Sequence, residues 1–415
     1  MYPISIQSYK TVGRLFVVAM VLTHVFFLWN VRHEVARGDP DFTVYYTAGW
    51  MLREGQGSQL YNPHAQIAVQ QEFATRSDTP DNLLPYIHPP FEALIFLPLT
   101  FLPYTAAFAV WNLLNLGMLL GASHLLRGSV ECLRLISQVD LYLALLAFFP
   151  VFANFHQGQD AILLLLIVLL AFRAWDRGED FTAGLWVGAG LFKYHLILPL
   201  AAVLLLWRGR KFLLGLLTTA SAAVLISLAL VGWQEALVYP GFTWHVLSQP
   251  LLGRIPFRQL PNLVGLIAGW SSKEYAGWLL PAVVLVCSIL LLAVAVRMGR
   301  GAIDRSIARM AFAFALTSAL FVGYSTNTYD LCLLVLPIAL VIDHVVREPA
   351  DPAWQRLALI VPILPLLLSS LWFYLWMRWV HINVVAGCIS WWLYAMGKEI
   401  LRMRARAARL VSTLV

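Results

Sequence analysis

The sequence has little charge for its length. Of its 415 residues 12% are charged and 60% are apolar, and the mean hydropathy is +0.73. A water-soluble domain of this composition would lack the polar side chains needed to cover its core. The composition therefore excludes an ordinary soluble enzyme and predicts an all-α polytopic membrane protein.

Cysteine is also scarce, and no obvious metal-binding motif stands out. Four cysteines lie in or beside apolar runs: Cys132, Cys287, Cys332 and Cys388. Their spacing fits neither a metal site nor a disulfide framework, so they read as small core residues. Asp39-Pro40-Asp41 matches the D-x-D pattern literally, but one such motif is a weak signal. We expect no metal and no other cofactor.

The basic residues occupy short loops between apolar runs and the C-terminal tail, which is the pattern of membrane topology. The run Leu15–Trp29 reads as an uncleaved first helix. Placing every basic loop in the cytoplasm requires the run 183–207 to enter the membrane and return, with a turn near Phe192–His195. This predicts one membrane domain, 1–415, in a plasma membrane. It would contain about 12 helices, some short or re-entrant.

The same assignment leaves two long segments outside, 31–90 and 232–275. In the first, the rings of Phe42, Tyr45 and Tyr46 recur at helical spacing. We expect an amphipathic helix at the membrane surface. Asp41 precedes it at the position of an N-cap. It is either only a cap or also a carboxylate that stays ionised at the helix N-terminus and accepts a proton.

Farther along this segment, His88 precedes Pro89-Pro90 and a short apolar run that ends before Pro103. That run is too short to span a bilayer. A half-buried or re-entrant piece would hold His88 at the mouth of the bundle, close to the helix that follows Asp41.

Four stretches resemble the family 87 glycosyltransferases, which are polytopic enzymes of GT-C type. "DFTVYYTAGWMLREGQGSQLYNP" and "YIHPPFEALIFLPLTFLPYTAAFAVWNLLN" follow the family pattern D-F-x-x-Y-Y-x-A, L-x-x-G, L-Y and Y-x-P-P, then L-P and W-x-x-x-N. "HQGQDAILLLLIVLL" is similar to its G-Q turn, and "GAGLFKYHLILPLAAVLLLWRGRK" to its membrane-embedded lysine segment. The sequence departs from the pattern at His88, where a small or apolar residue is more usual.

This resemblance implies a GT-C bundle with a long extracytoplasmic first loop and a catalytic aspartate in that loop. The matching position is Asp41, with Asp39 as the reserve candidate. The implied reaction is an inverting transfer of a sugar, with mannose expected, from a polyprenyl phosphate at the outer membrane face. The acceptor would be a lipid-linked or cell-envelope glycan, and nucleic acid is not expected as a partner.

Such a transfer needs cations near the departing phosphate. The candidate phosphate ligands are four basic residues: Lys193, His195, Arg254 and Arg258. Lys193 lies among apolar residues, where a lysine either meets an anion or is a structural group. Arg254 and Arg258 would share a helix face, or would bind lipid headgroups instead.

The candidate substrate-binding residues carry rings, imidazoles or amides suited to a sugar: Tyr45, Tyr46, His88, His156, Gln157, Gln159 and Asn327. For each of them a structural role is the simpler alternative, since rings anchor helices at membrane interfaces and isolated histidines are usually satisfied core groups.

Two rival functions stay open at this level. A lipid or glycolipid transporter or flippase would predict inverted repeats and charges along a path, whereas the sequence has no recognisable repeat. A structural envelope protein would need only the aromatic loop on the membrane.

Overall fold

A computed structural model describes residues 6–75, 84–248, 260–269, 279–302, 304–348, 352–367 and 383–414. Throughout these ranges the regular structure is helical and no strand occurs. This confirms the predicted all-α class.

Eighteen α-helices, numbered here in chain order, make up the described fold. The first nine are α1 (Ile6–Asn30), α2 (Arg32–Arg37), α3 (Phe42–Arg53), α4 (Pro63–Gln71), α5 (Pro90–Phe96), α6 (Tyr104–Ser129), α7 (Gln138–Leu146), α8 (Phe149–Gln157) and α9 (Ala161–Asp176). The remaining nine are α10 (Asp180–Ala189), α11 (Tyr194–Arg208), α12 (Arg210–Ser248), α13 (Leu263–Gly269), α14 (Leu279–Gly299), α15 (Arg305–Val322), α16 (Val335–Arg347), α17 (Ala353–Ile360) and α18 (Val384–Leu414).

Within the described residues, seven helical runs are long and apolar enough to cross a membrane. An eighth is possible if α7 and α8, which meet at 65°, form one bent span. The protein is therefore a multi-pass membrane protein. The shorter helices, such as α5, pack among these runs.

One of the seven runs, Asp180–Arg208, is a hairpin. A straight helix of its 29 residues would be roughly 44 Å long. Instead, Arg208 Nε lies 3.5 Å from Asp180 Oδ1, so the two ends of the run meet. The chain reverses at a 3₁₀ turn, Gly190–Lys193, between α10 and α11. This confirms the turn predicted from the distribution of basic loops, and it places Lys193 at the hairpin tip.

Contacts between loops define the opposite end of the bundle, which we call the basic end. Arg305 and Arg309 both bind Asp176 at the end of α9. Arg347, at the end of α16, binds Glu131 after α6. Because α15 and α16 pack against each other and are joined by a short turn, these contacts lie at one end. The end with the hairpin tip is called the site end.

The helix α3 is buried within the protein, whereas the predicted surface helix would expose one face. Nine of its twelve residues are buried, among them Phe42 and Tyr45. Tyr45 stacks on Phe96 of α5 with ring centroids 4.5 Å apart. The Tyr46 hydroxyl donates to the Leu102 carbonyl at 2.7 Å. The short segment Pro90–Phe101 packs over α3, where Phe96 contacts the rings of Phe42 and Tyr45. The Tyr46 ring packs instead against Phe73 and Tyr104.

Candidate active site

Asp41 occupies the N-cap position of α3 without capping it. Its backbone is helical, with φ −58° and ψ −19°, and its side chain makes no bond to the helix N-terminus. A capping side chain needs a more extended backbone to turn back on its own helix. Instead, the carboxylate accepts a bond from Gln159 Nε2 at 2.7 Å. It also interacts with the Tyr329 hydroxyl. The interpretation of Asp41 as only a cap is therefore wrong.

The G-Q turn between α8 and α9 meets Asp41 at two points. Besides the Gln159 bond, Gln157 Oε1 accepts from the Asp41 backbone N–H at 3.1 Å. Gly158 has φ +60°, and an added Cβ would come within 2.8 Å of Phe42 and of the Phe108 ring. Only glycine fits this left-handed, crowded position. The turn can therefore lie directly against the start of α3.

Lys193 is a buried cation held among acceptors. Its ammonium lies 2.9 Å from Asp160, 2.9 Å from Asp330 and 3.2 Å from Gln159 Oε1. An ammonium has three N–H donors, and these three acceptors use all of them. Only 3% of the side chain is exposed. The predicted contact with a donor phosphate would therefore require one of these bonds to break.

A third carboxyl group near Lys193 belongs to Glu92 of α5, which interacts with Asp160. Glu92 Oε1 and Asp160 Oδ2 are both buried and find no donor among the described residues. Burial, and then the negative charge of Asp160, raise the pKa of Glu92 well above its usual range. A proton on Glu92, shared with Asp160, would satisfy both unpaired oxygens.

His88 contacts the far side of Glu92, with Nδ1 3.0 Å from Oε2. Burial lowers the pKa of His88 to about 4. At neutral pH the imidazole is therefore uncharged, and the contact is a hydrogen bond rather than an ion pair. The edge of the His88 ring packs on Tyr45, with centroids 5.2 Å apart.

Asp39 points away from this cluster. Its carboxylate forms an ion pair with Arg37 at 2.7 Å, near the surface. The two carboxylates of the D-x-D motif thus turn to different partners. Across the described ranges, no group of three histidine, cysteine, aspartate or glutamate side chains is arranged to hold a metal ion.

Four other predicted residues also lie at the site end. His156 is 3.5 Å from Glu34 and bonds Gln157 at 2.9 Å. Asn327 donates to the Tyr329 hydroxyl at 2.9 Å. The His195 ring packs beside Tyr324, and its buried Nε2 has no partner among the described residues.

The remaining predicted residues occupy different places. Tyr45 and Tyr46 are 0% and 1% exposed, so no face of either ring is open to a sugar. Tyr45 instead donates to Gln159 Oε1 at 2.6 Å. Arg254 and Arg258 lie outside the described residues.

Sequence reasoning missed the acids and the phenol that complete the site: Glu92, Asp160, Tyr329 and Asp330. A usable signal was present, because each of the three acids stands at the edge of or inside an apolar run. Ionisable residues at membrane depth are costly and are functional candidates by default.

Comparison with curated proteins and with solved structures finds no match. Residues 86–337 match the model of glycosyltransferase family 87, which covers more than half of the chain. Asp41 precedes the matched residues but contacts Gln157, Gln159 and Tyr329, which lie within them. The chain belongs to glycosyltransferase family 87 and is a membrane glycosyltransferase.

Proposed function

We propose that the protein transfers a sugar, with mannose as the first candidate, from a polyprenyl-phosphate donor to a lipid-linked or cell-envelope glycan, with inversion. One observation carries the proposal. The Asp41 carboxylate is held at the site end by neutral groups, the Gln159 amide and the Tyr329 hydroxyl, and no side chain in the described ranges forms a direct ion pair with it. A carboxylate in such a position is suited to accept a proton.

In the proposed reaction Asp41 takes the proton from an acceptor hydroxyl. The hydroxyl oxygen attacks the anomeric carbon from the face opposite the phosphate, and the bond between that carbon and the phosphate oxygen breaks. Polyprenyl phosphate leaves with the bonding electrons. Because only one displacement occurs, the configuration at the anomeric carbon is inverted.

The leaving phosphate requires hydrogen-bond donors or positive charge. Because the Lys193 donors are already used, we assign direct phosphate contacts to His195, Arg254 and Arg258. Lys193 contributes charge to the site from a distance. The amides of Gln157 and Asn327 and the imidazoles of His88 and His156 are the proposed sugar contacts.

We place the site end on the extracytoplasmic side of the plasma membrane. The support is the grouping of arginines at the basic end, since loops rich in lysine and arginine stay in the cytoplasm. A polyprenyl-linked donor would then reach the site from the outer leaflet.

A donor panel tests the reaction. Purified protein in liposomes is incubated with polyprenyl-phosphate mannose or polyprenyl-phosphate glucose, with total membrane lipids of the source cells as acceptor, and products are identified by mass. We expect a hexose added from the mannose donor, with no loss of rate in EDTA. Counterflow of donor lipid without any product would support the transporter instead.

The base is tested by Asp41→Asn, with Asp39→Asn as the matched control two residues away. General-base catalysis contributes about 10²–10⁴-fold, so we expect Asp41→Asn to lose at least that much turnover. Asp39→Asn, which breaks a surface ion pair with Arg37, should retain turnover within about threefold. Turnover that survives Asp41→Asn would remove Asp41 from this role.

A further inference from the structure

The side-chain amide of Gln159 can satisfy its neighbours in one orientation only. On one side lies the Asp41 carboxylate, which only accepts, 2.7 Å from Nε2. On the other lies the Lys193 ammonium, which only donates, 3.2 Å from Oε1. A flipped amide would set an oxygen against the carboxylate and an NH₂ against the ammonium.

The oxygen of this amide accepts hydrogen bonds from two donors. Tyr45 donates to Oε1 at 2.6 Å, in addition to Lys193. Tyr45 is fully buried and stacked on Phe96, so its hydroxyl has little freedom. Lys193 is fixed in turn by Asp160 and Asp330.

The backbone of the turn is fixed as well. Trp111 Nε1 donates to the Gly158 carbonyl at 2.9 Å, and the Asn115 amide donates to the Gln159 carbonyl at 3.4 Å. Both donors are buried side chains of α6. Gln159 therefore connects a rigid turn, a buried cation and Asp41.

An amide holds a carboxylate without neutralising it. A cation bonded directly to the carboxylate would favour its charged form and weaken it as a base. Between Asp41 and Lys193 stands Gln159, so the lysine orients the amide while its charge stays one residue away from the base.

We propose that Gln159 is a positioning residue for Asp41, with its amide orientation locked by Lys193 and Tyr45. This inference deepens the proposed function and rests on Asp41 being the base. It assigns Lys193 and Tyr45 to the support of the base rather than to contact with the sugar or the phosphate.

The test uses Gln159→Glu in the full-length protein, assayed with polyprenyl-phosphate mannose. A glutamate at this position keeps one oxygen to accept from Lys193 and Tyr45. Its second oxygen faces the Asp41 carboxylate, so the two carboxyl groups must share a proton. The other groups facing Asp41 are His156, Lys193 and Tyr329. We expect kcat to fall at least tenfold, the acid limb of kcat to move up by about one pH unit or more, and KM for the donor to stay within about twofold.

A second variant guards against misfolding. Gln159→Met has a similar length and no hydrogen-bonding amide, so it should lower kcat at least tenfold and move the acid limb up by less than Gln159→Glu does, because it removes a donor to Asp41 but adds no second carboxyl group. Gln138→Glu on α7, whose amide bonds Ser123 away from the site, is the control for the same substitution and should keep wild-type kcat and KM.

Wild-type kcat in both Gln159 variants would overturn the inference, as would a rise in KM with kcat unchanged, which would indicate direct substrate contact. The Asp41→Asn variant distinguishes a failure of the positioning role of Gln159 from a failure of Asp41 as the base. If Asp41→Asn is inactive and both Gln159 variants are normal, only the positioning role fails. If Asp41→Asn is active, the proposed base itself is wrong.

Discussion

Two ion clusters at opposite ends of the bundle have opposite ratios of cations to anions. At the basic end, one carboxylate, Asp176, binds two guanidinium groups, of Arg305 and Arg309. At the site end, one ammonium, Lys193, binds two carboxylates, of Asp160 and Asp330. If all these groups are ionised, the first cluster carries one excess positive charge and the second one excess negative charge.

The two clusters also differ in burial. The Arg305 side chain is 66% exposed, whereas the Lys193 side chain is 3% exposed. The side chains of Asp176 and Arg309 are 7% and 14% exposed, so water reaches the first cluster mainly at Arg305, whereas no side chain of the second is more than 3% exposed. The ion-pair distances in the two clusters are similar, so distance alone does not tell which cluster contributes more to stability. Burial separates a surface pair near the basic loops from one that organises the candidate active site.

The strongest test of this comparison removes one cation from each cluster. Lys193→Met leaves Asp160 and Asp330 buried without their counter-ion, and breaking a buried pair costs about 3–5 kcal/mol. Arg305→Met leaves Arg309 on Asp176 and should cost about 1 kcal/mol or less. Unfolding by SDS in mixed micelles measures both losses. Equal losses would show that burial does not distinguish the clusters.

A second test separates the acids next to Lys193. Asp160→Asn removes a carboxylate bonded directly to the ammonium and should cost about 2–3 kcal/mol, close to the value for a hydrogen bond to a charged group. Glu92→Gln replaces an uncharged acid by an amide of the same shape and should cost about 1 kcal/mol or less. A larger loss for Glu92→Gln than for Asp160→Asn would mean that Glu92 is the ionised member.

The pH dependence of Glu92→Gln checks the same assignment. Because the folded pKa of Glu92 is raised, its protonated form stabilises the fold below the unfolded pKa, and this stability is lost as pH rises through the folded pKa. The wild type should therefore lose more stability than Glu92→Gln as the pH rises above 4.5, the ordinary pKa of a glutamate, measured as thermal midpoint against pH in detergent.

A separate effect of pH concerns His88. Its pKa is lowered from 6.5 to about 4, so the unfolded chain binds the proton first as the pH falls. His88 therefore contributes nothing above pH 6.5 and reduces stability as the pH drops toward 4. We expect the thermal midpoint to fall over this range by an amount on the order of 5 °C, and His88→Asn to reduce that fall. A fall of the same size in His88→Asn would assign it to other groups.

The sequence predicted those features that depend on local composition. Long apolar runs require membrane helices, and the grouping of arginines in loops required a reversal near Lys193, which the contact between Arg208 and Asp180 confirms. The position of α3 was not predictable in the same way. Helical spacing of Tyr45 and Tyr46 shows that two rings share a helix face, but it does not tell whether lipid or Phe96 covers that face.

For the candidate site, the sequence by itself determined which residues are available: an aspartate at the start of α3, two glutamines around Gly158, and a lysine among apolar residues. Only the tertiary structure decided how they are joined. Asp41 turns from its own helix to Gln159, 118 positions away, and Lys193 meets Asp330 across 137 positions. Such bonds depend on how helices pack and on the cost of leaving buried polar groups unpaired, and neither is encoded in the spacing of any one segment.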